Sequence, residues 1–410
     1  MQRSKARTIK WDISGQSFTL TYGSVRGRHI DLECLRRQVV QEGCELMAEL
    51  CKVADLDMKS FSLSQISDDA GLSTSLFDDE RNIAIFRPYI KHVYAYLRNG
   101  NGGKPGTMNT TRTTHFMVQT RKFLQMIAAH LYRTSGIPPR AWQTVQFLYR
   151  SFGQYLRNLR LLPSSLPFIG NPKAKQMDRL IYDAFWLLPP HLGIALIFYL
   201  GVFRPVEIAI LESRGIPTEQ HRHYIFVSTQ RPTNGSYIWK TSHLNKVLQA
   251  GTTPELSYMA ATYRNVMQAI VDKHFSNLHP HTFPRILQEA SNGQAQHQAR
   301  THDTSYAVDE ISDGVGLPLS ARDRQFLVSR AFHVWYRFTP EDHDWCQYQN
   351  YHPNEVMESH MKLALMRARP MVIEEYGFAR SKISCEDRAR LVGRVIEKKP
   401  FLYGKQVSLN

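Results

Sequence analysis

The sequence predicts a mainly α-helical protein with a small β component, an α+β fold. Apolar residues recur at intervals of three and four along most of the chain, which is the spacing of one helix face. Glycine- and proline-rich stretches separate these segments. Two short runs, 224–229 and 237–241, flank Asn234 and Gly235 and predict a β-hairpin. With 410 residues, 42% of them hydrophobic, the chain is long enough for two or three domains.

The N-terminal region predicts strands followed by helices. Residues 1–30 alternate polar and apolar side chains, with glycine turn signals, and predict a short strand pair or an arm. Residues 31–54 place apolar side chains at helical spacing and predict a helix. Serine and aspartate caps within 55–79 predict short helices.

A helix predicted over residues 82–97 stops at a glycine-rich segment, 99–106. Glycines beside Lys104 resemble a phosphate-binding loop, but the G-x-x-x-x-G-K-[ST] pattern is absent and Pro105 follows the lysine. We therefore interpret this segment as a flexible connection or a DNA-contacting loop.

Two amphipathic helices, predicted over 110–132 and 141–159, mix basic residues with aromatic ones. A helical pair with a basic outer face could straddle a duplex through phosphate contacts. A helical bundle with ordinary surface arginines is the alternative. The side chains predicted to contact DNA are Arg112, Arg121, Lys122, Arg150 and Arg157.

A linker with three prolines, 162–175, places a domain boundary near Pro172. Beyond it, helices are predicted over 176–188 and 191–200. Further helices are predicted over 245–248 and 255–274.

Arg204 and Glu207 lie one turn apart on a helix that Pro205 can begin. An arginine at a helix start can hold a phosphate with two hydrogen bonds while the glutamate supports its guanidinium. A plain surface Arg–Glu pair is the alternative. The predicted hairpin follows, with Lys240 as the lysine on its second strand.

The segment 281–307 holds side chains suited to chemistry at a phosphate: His281, Arg285, His297 and Tyr306. A phenol attacks phosphorus effectively only where cations and hydrogen-bond donors surround the phosphate. Histidines and an arginine close in sequence can supply that surround.

Two segments together resemble the catalytic domain of tyrosine recombinases, the phage-integrase superfamily. One is the R-x-x-E motif of Arg204 and Glu207, which follows an apolar helix and precedes apolar residues. The other is Q-A-Q-H, ending at His297, nine residues before Tyr306. The resemblance implies a site-specific recombinase or integrase of a mobile element, in which Tyr306 forms a 3′-phosphotyrosyl link to DNA.

The resemblance also implies a role for each side chain. Arg204 and Arg285 would hold the non-bridging oxygens, His281 and His297 would donate hydrogen bonds or shuttle protons, and Lys240 would protonate the leaving oxygen. No cofactor or metal is required. Two features depart from the family: His281 stands four residues before Arg285 rather than three, and His297 comes only 12 positions after Arg285.

Assembly on double-stranded DNA, as a homo-tetramer, is a further implication of the resemblance. Together with the predicted boundary near Pro172, the resemblance divides the chain into four regions. They are an N-terminal arm or accessory region (1–81), a helical core-binding domain (82–172), a catalytic domain (173–312) and a helical C-terminal extension (313–410). The extension contains helices predicted over 321–338 and 354–369.

A second register of the motif stays open. Arg330 and His352 are 22 residues apart, closer to the family's usual gap, but Met361 follows where the tyrosine would stand. On that register the chain would have the fold without its nucleophile. A catalytically inactive, DNA-binding accessory protein is therefore an alternative function, and a helical adaptor for RNA or acidic proteins is another.

Charge and cysteine content limit the class of protein. The 51 basic residues against 36 acidic ones give a net charge of +15, which favours a nucleic-acid partner. Five cysteines without a C-x-x-C pair predict a reducing compartment. No apolar run has signal-peptide or membrane-spanning character, so a cytoplasmic, nucleoid-associated protein is expected. His343, His352 and His360 lack metal-site spacing, so no metal is expected.

Overall fold

The structure is a computed structural model, and its described part is mainly helical with two small antiparallel sheets. This agrees with the predicted fold class. It describes residues 7–22, 25–58, 60–68, 75–98, 108–153, 155–162, 167–171, 184–230, 232, 235–250 and 258–275, and then Gln325, Val328, Ser329, Phe332, His333, Trp335, Tyr336 and Phe338.

The first sheet is a three-stranded meander of β1 (Arg7–Trp11), β2 (Ser17–Tyr22) and β3 (Val25–Asp31). The turn between β1 and β2 contains Gly15, whose φ of 71° is a conformation that glycine adopts without steric cost. The strand pair predicted within 1–30 is therefore present, with a third strand added.

Helix α1 (Leu32–Lys52) follows this sheet directly and confirms the helix predicted over 31–54. The Asp31 carboxylate caps it by accepting a hydrogen bond from the Cys34 amide at 2.7 Å. Single turns of 3-10 helix at Leu63–Gln65 and Leu76–Asp78 confirm the short helices predicted within 55–79. Another such turn, Val53–Asp55, directly follows α1.

Helices α2 (Glu80–Arg98) and α3 (Thr110–Thr134) confirm the helices predicted over 82–97 and 110–132. The amide of Asn109, which caps α3, donates to the carbonyl of Leu97 at 2.8 Å. The start of α3 therefore lies beside the end of α2.

The helix predicted over 141–159 is wrong beyond its first turn, because α4 spans only Ala141–Thr144. The side chains of 147–149 are all buried, and a surface helix with one buried face does not bury three successive side chains. The amide of Leu148 instead donates to the Asn158 side chain at 2.6 Å. Burial on both sides thus replaces the helix with an irregular, packed segment.

The second sheet has the order β4-β5-β6, with β4 at Leu159–Leu161, β5 at Pro167–Asn171 and β6 at Ala184–Leu187. Because β5 and β6 pair antiparallel, strands on both sides of residue 172 belong to one sheet. The predicted domain boundary therefore lies within a sheet.

Strand β6 shows that the helix predicted over 176–188 is wrong at 184–187, while 176–183 lie outside the described residues. All four side chains of β6 are buried. Its outer amides find side-chain partners: that of Phe185 donates to Gln325 at 2.6 Å, and that of Leu187 donates to Ser329 at 3.2 Å. A strand buried on both faces has no alternation, so the apolar run resembled a buried helix.

Helices α5 (Pro190–Phe198) and α6 (Arg204–Ser213) are joined by a π-helical turn at Tyr199–Phe203 into one central segment. This confirms the helix predicted over 191–200. By length and composition alone, the 24-residue segment Pro190–Ser213 could cross a membrane, and 83% of its most apolar window is buried inside the protein. Helices α1, α2 and α3 pack against it.

Three short helices follow α6: α7 (Glu219–His223), α8 (Thr241–Gln249) and α9 (Ala260–Ile270). They confirm the helix predicted over 245–248 and, from 260 onwards, the one predicted over 255–274. A π-helical turn, Val271–Phe275, continues α9.

The predicted hairpin between α7 and α8 is present as a short antiparallel pairing. Val227 and Ile238 form its bridge, and the amide of Ser228 donates to the carbonyl of Tyr237 at 2.7 Å. Gly235 supplies the turn with a φ of 78°.

One cluster of buried apolar side chains runs from Phe18 to Phe338 through the described residues. Phe123 and Trp186, from opposite sides of residue 172, both belong to it. The amide of Tyr336 donates to the carbonyl of Phe332 at 2.8 Å, which fits the helix predicted over 321–338. The helix predicted over 354–369 lies outside the described residues.

Candidate nucleic-acid interface and the buried Arg204 cluster

Arg204 stands where the π-helical turn passes into α6, and it is only 1% exposed. Pro205 occupies the first turn of α6, where proline is tolerated. The central segment therefore directs the guanidinium into the interior, toward the chain at 221–225.

All five N–H donors of the Arg204 guanidinium have an acceptor within the chain. Nε donates to Glu207 Oε2 at 3.1 Å. The other four bonds go to the Tyr199 hydroxyl (3.0 Å) and to the carbonyls of His221 (3.2 Å), Tyr224 (3.0 Å) and Ile225 (2.9 Å). The guanidinium thus ties α6 to the segment after α7.

Tyr199 and Glu207 contact the Arg204 guanidinium and stabilise its positive charge. The Tyr199 hydroxyl donates to Glu207 Oε2 at 2.9 Å, and its ring lies 5.1 Å from the guanidinium carbon of Arg204. Burial raises the pKa of Tyr199, which outweighs the lowering effect of Arg204. Burial opposes the charge of Arg204, but Tyr199 and Glu207 together raise its pKa, so the buried arginine stays charged.

His221 borders the cluster and is neutral at pH 7. Its Nε2 lies 3.0 Å from the carbonyl oxygen of Ser228. Burial, and then the charge of Arg204, lower the pKa of His221 to about 4. Its backbone carbonyl accepts from Arg204, so side chain and backbone both hold the hairpin against α6.

Because all N–H donors of the Arg204 guanidinium are hydrogen-bonded within the protein, the predicted phosphate contact is disfavoured. To hold a phosphate oxygen, Arg204 needs an uncommitted N–H, and among the described residues every one is bonded. The geometry favours the alternative of a structural Arg–Glu pair, buried rather than on the surface. A catalytic role for Arg204 stays a prediction that requires several of these bonds to open.

Lys240 is exposed and directly precedes α8. The amide of its neighbour Trp239 donates to the carbonyl of Phe226, one residue beyond the Arg204 acceptor Ile225. Lys240 therefore lies on the same hairpin as the cluster but points to solvent. The remaining predicted residues lie outside the described part of the chain: His281, Arg285, His297, Tyr306, Arg330 and His352.

Arg157 does not belong to a DNA-contacting surface, and its prediction is wrong. The side chain is 0% exposed, and its guanidinium donates to the carboxylate of Asp68 at 3.1 Å and to the carbonyl of Leu159 at 3.1 Å. A buried arginine in an ion pair cannot reach a phosphate without unfolding its surroundings.

The other predicted DNA contacts are largely engaged within the protein. Arg112 donates to the carbonyl of Tyr96 at 2.9 Å, and Arg150 pairs with Asp78 at 2.9 Å. Arg121 is half-buried. Lys122 is the best exposed at 62%, and its ammonium lies 3.4 Å from Glu49. Carboxylates thus offset Arg150 and Lys122, and Arg112 and Arg121 are half-buried.

Helix α2 carries a row of exposed basic residues, none of which was among the predicted DNA contacts. Arg87, Lys91 and Arg98 are exposed, and no described residue pairs with any of the three in an ion pair. Their spacing of four and seven residues puts them within about 40° of one another around the helix and spreads them over about 16 Å. We call these three residues the α2 stripe.

The spacing of the α2 stripe was the available signal. Asn82, Phe86, Val93 and Leu97 form the buried face of α2, so the opposite face must carry residues 87, 91 and 98. The DNA contacts were predicted within residues 110–159 instead, because that segment contains more arginines than α2. Counting basic residues does not separate exposed side chains from those that pack inward.

Two buried histidines, His130 on α3 and His191 on α5, face each other with their Nε2 atoms 2.6 Å apart. Burial lowers the pKa of both, so both are neutral and one donates to the other. Gly43 leaves them room, since an added Cβ would lie 3.0 Å from His191 Nε2. Within the described ranges, no three His, Cys, Asp or Glu side chains are grouped to hold a metal ion.

Comparison with known proteins adds no relative to this geometry. No protein-family model matches the chain, and neither a curated protein nor a solved structure matches it significantly.

Proposed function

We propose that the protein binds duplex DNA through the α2 stripe. The observation that carries the proposal is a row of three exposed basic side chains on one side of α2, without ion-pair partners among the described residues. Other exposed basic residues, such as Arg81 and Lys122, each face a carboxylate, and those without an ion pair among the described residues, such as Lys10 and Lys246, lie on other elements, β1 and α8. A paired cation gains little from a phosphate, whereas an unpaired one releases a counterion from DNA when it binds.

The charge of the whole chain supports the same partner. A net charge of +15 attracts a polyanion over distances longer than the contacts themselves. Glu80 lies on the same side of α2 as the stripe, but it belongs to the first turn, where a carboxylate interacts favourably with the helix dipole. The stripe begins two turns later.

Salt-dependent binding tests this proposal directly. Three phosphate contacts contribute about 2.7 to the slope of log affinity against log salt concentration. We expect full-length Arg87→Gln/Lys91→Gln/Arg98→Gln to lose this part of the slope on a random-sequence duplex. Between 50 and 200 mM salt, the wild type would then lose about 40-fold more affinity than the variant.

A matched variant separates local contacts from overall charge. Lys10→Gln/Arg37→Gln/Lys246→Gln also removes three exposed positive charges, from β1, α1 and α8. It should bind with nearly the wild-type slope. Equal slopes for wild type and stripe variant would refute the interface, and equal competition by duplex RNA would favour the RNA-binding alternative.

For the role of this DNA binding, we propose a recombinase-like accessory protein that does not cut DNA. The support is the Arg204 guanidinium, whose N–H donors are committed to Tyr199, Glu207 and backbone carbonyls. An active-site arginine must give donors to the phosphate as negative charge develops. Opening five buried hydrogen bonds would oppose that step.

DNA strand transfer by Tyr306 is the second candidate, favoured by the nine-residue spacing between His297 and Tyr306 and the R-x-x-E motif. A nicked duplex that carries the protein's own recognition sequence separates the two candidates, because loss of the short leaving fragment traps a phosphotyrosyl link. The accessory role predicts no covalent adduct. An adduct formed by wild type but not by Tyr306→Phe would establish strand transfer.

A further inference from the structure

Helix α3 presents an exposed face that carries no carboxylate, ammonium or guanidinium over its first two turns. This face consists of Thr111, Thr114, His115 and Val118, and the Val118 side chain is 50% exposed despite being apolar. We call these four residues the α3 face. Within the part of the chain that the structure describes, none of them has a side-chain hydrogen-bond partner or ion pair.

The α3 face begins next to the α2 stripe. The amide of Asn109 donates to the carbonyl of Leu97 at 2.8 Å, one residue before Arg98. The Arg112 guanidinium donates to the carbonyl of Tyr96 at 2.9 Å and fixes the first turn of α3 against α2. The first turn of α3 therefore lies beside the Arg98 end of the stripe.

We infer that the α3 face contacts base edges in the major groove and determines sequence preference, an inference that rests on DNA binding by the α2 stripe. Its side chains suit that role. Threonine hydroxyls donate to or accept from base edges, and the Val118 methyl groups can contact the thymine methyl. An α-helix fits the major groove, which is about 12 Å wide.

The dimensions and charges agree with this assignment. From Thr111 to Val118 the face extends about 10 Å, which covers about three base-pair steps. Phosphate contacts position a protein on DNA, whereas base contacts provide specificity. The basic α2 stripe beside an uncharged α3 face matches this division, and the adjacent positive charge favours DNA over a protein as the occupant.

The test uses the full-length chain and a pool of duplexes with twenty randomised base pairs. Wild type should enrich a sequence motif. Thr111→Val/Thr114→Val keeps the side-chain shape but removes both hydroxyls, so it should alter or relax the motif at adjacent positions. Each lost hydroxyl contact should reduce discrimination at its position by about 2- to 12-fold, the range for one neutral hydrogen bond. The salt slope should not change, because no phosphate contact is removed.

The stripe variant is the reciprocal control. Arg87→Gln/Lys91→Gln/Arg98→Gln should bind more weakly and with a smaller slope, yet enrich the wild-type motif. Val118→Thr, a single exposed change, tests the same face if the double variant proves unstable, and it should shift the preference at one position.

The outcomes distinguish this inference from the proposed function. If wild type enriches no motif, or if both α3 variants enrich the wild-type motif, base contact by α3 is wrong while DNA binding by the stripe stands. If the stripe variant keeps the wild-type slope, the proposed interface is wrong, and the inference fails with it.

Discussion

Replacing Arg204 should destabilise the protein strongly, because its charge is buried and fully hydrogen-bonded. Arg204→Met would leave the Glu207 carboxylate buried without its cation, and it would leave the carbonyls of His221, Tyr224 and Ile225 without their donor. Removing one partner of a buried ion pair costs about 3–5 kcal/mol. We therefore expect the free energy of unfolding to fall by about that amount, measured by urea titration at pH 7.5.

Two further variants identify the cause. Arg204→Met/Glu207→Gln should be more stable than Arg204→Met alone, because no unpaired buried carboxylate remains. Arg37→Gln removes an exposed arginine whose Nε lies 4.0 Å from Glu33, and it should cost at most about 1 kcal/mol. If Arg204→Met costs no more than Arg37→Gln, the guanidinium is not the structural tie described here, and its donors are available for a phosphate.

Three other perturbations follow from the interior. The free energy of unfolding should fall as the pH drops from about 6.5 to about 4, because His221 gains a proton in the unfolded chain but not in the folded protein, where its pKa is lowered to about 4. This fall should be smaller in His221→Gln. An equal fall in the wild type and the variant would refute the assignment to His221. Arg157→Gln should cost about 3–5 kcal/mol by leaving Asp68 unpaired, so urea unfolding at pH 7.5 should report a large loss and not the small change of a surface contact. Gly201→Ala should cost about 1–3 kcal/mol in the same assay, because its Cβ would lie 2.6 Å from the Phe86 ring; no loss would mean that the ring moves freely.

Local periodicity made most helices predictable. Helices α1, α2, α3, α5 and α8 each bury one face or, for α5, nearly all of it, and their apolar spacing and caps are contained in the sequence. The Asp31 cap and the Asn234-Gly235 turn are likewise short-range signals. Net charge is also a property of the sequence alone, and it indicates a polyanion without showing which surface binds it.

Segments that are buried on both sides were not predictable in this way. Strand β6 and residues 147–149 lie fully inside the protein, where neither helical nor strand alternation remains visible. Their backbone found partners far along the chain: the amide of Phe185 donates to Gln325, 140 residues away. Local secondary-structure propensity cannot predict a hydrogen-bond partner so distant in the sequence.

The fate of each arginine was likewise decided only by the tertiary structure. Arg157 is buried because Asp68, 89 residues earlier in the chain, neutralises it, and Arg204 is buried because five acceptors converge on it. Arg87 and Lys91 stay in solvent because the opposite face of α2 packs on the core. The sequence determined how many charges the chain carries, whereas long-range packing determined which of them a nucleic acid can reach, since a charge enters the interior only where a partner offsets its loss of hydration.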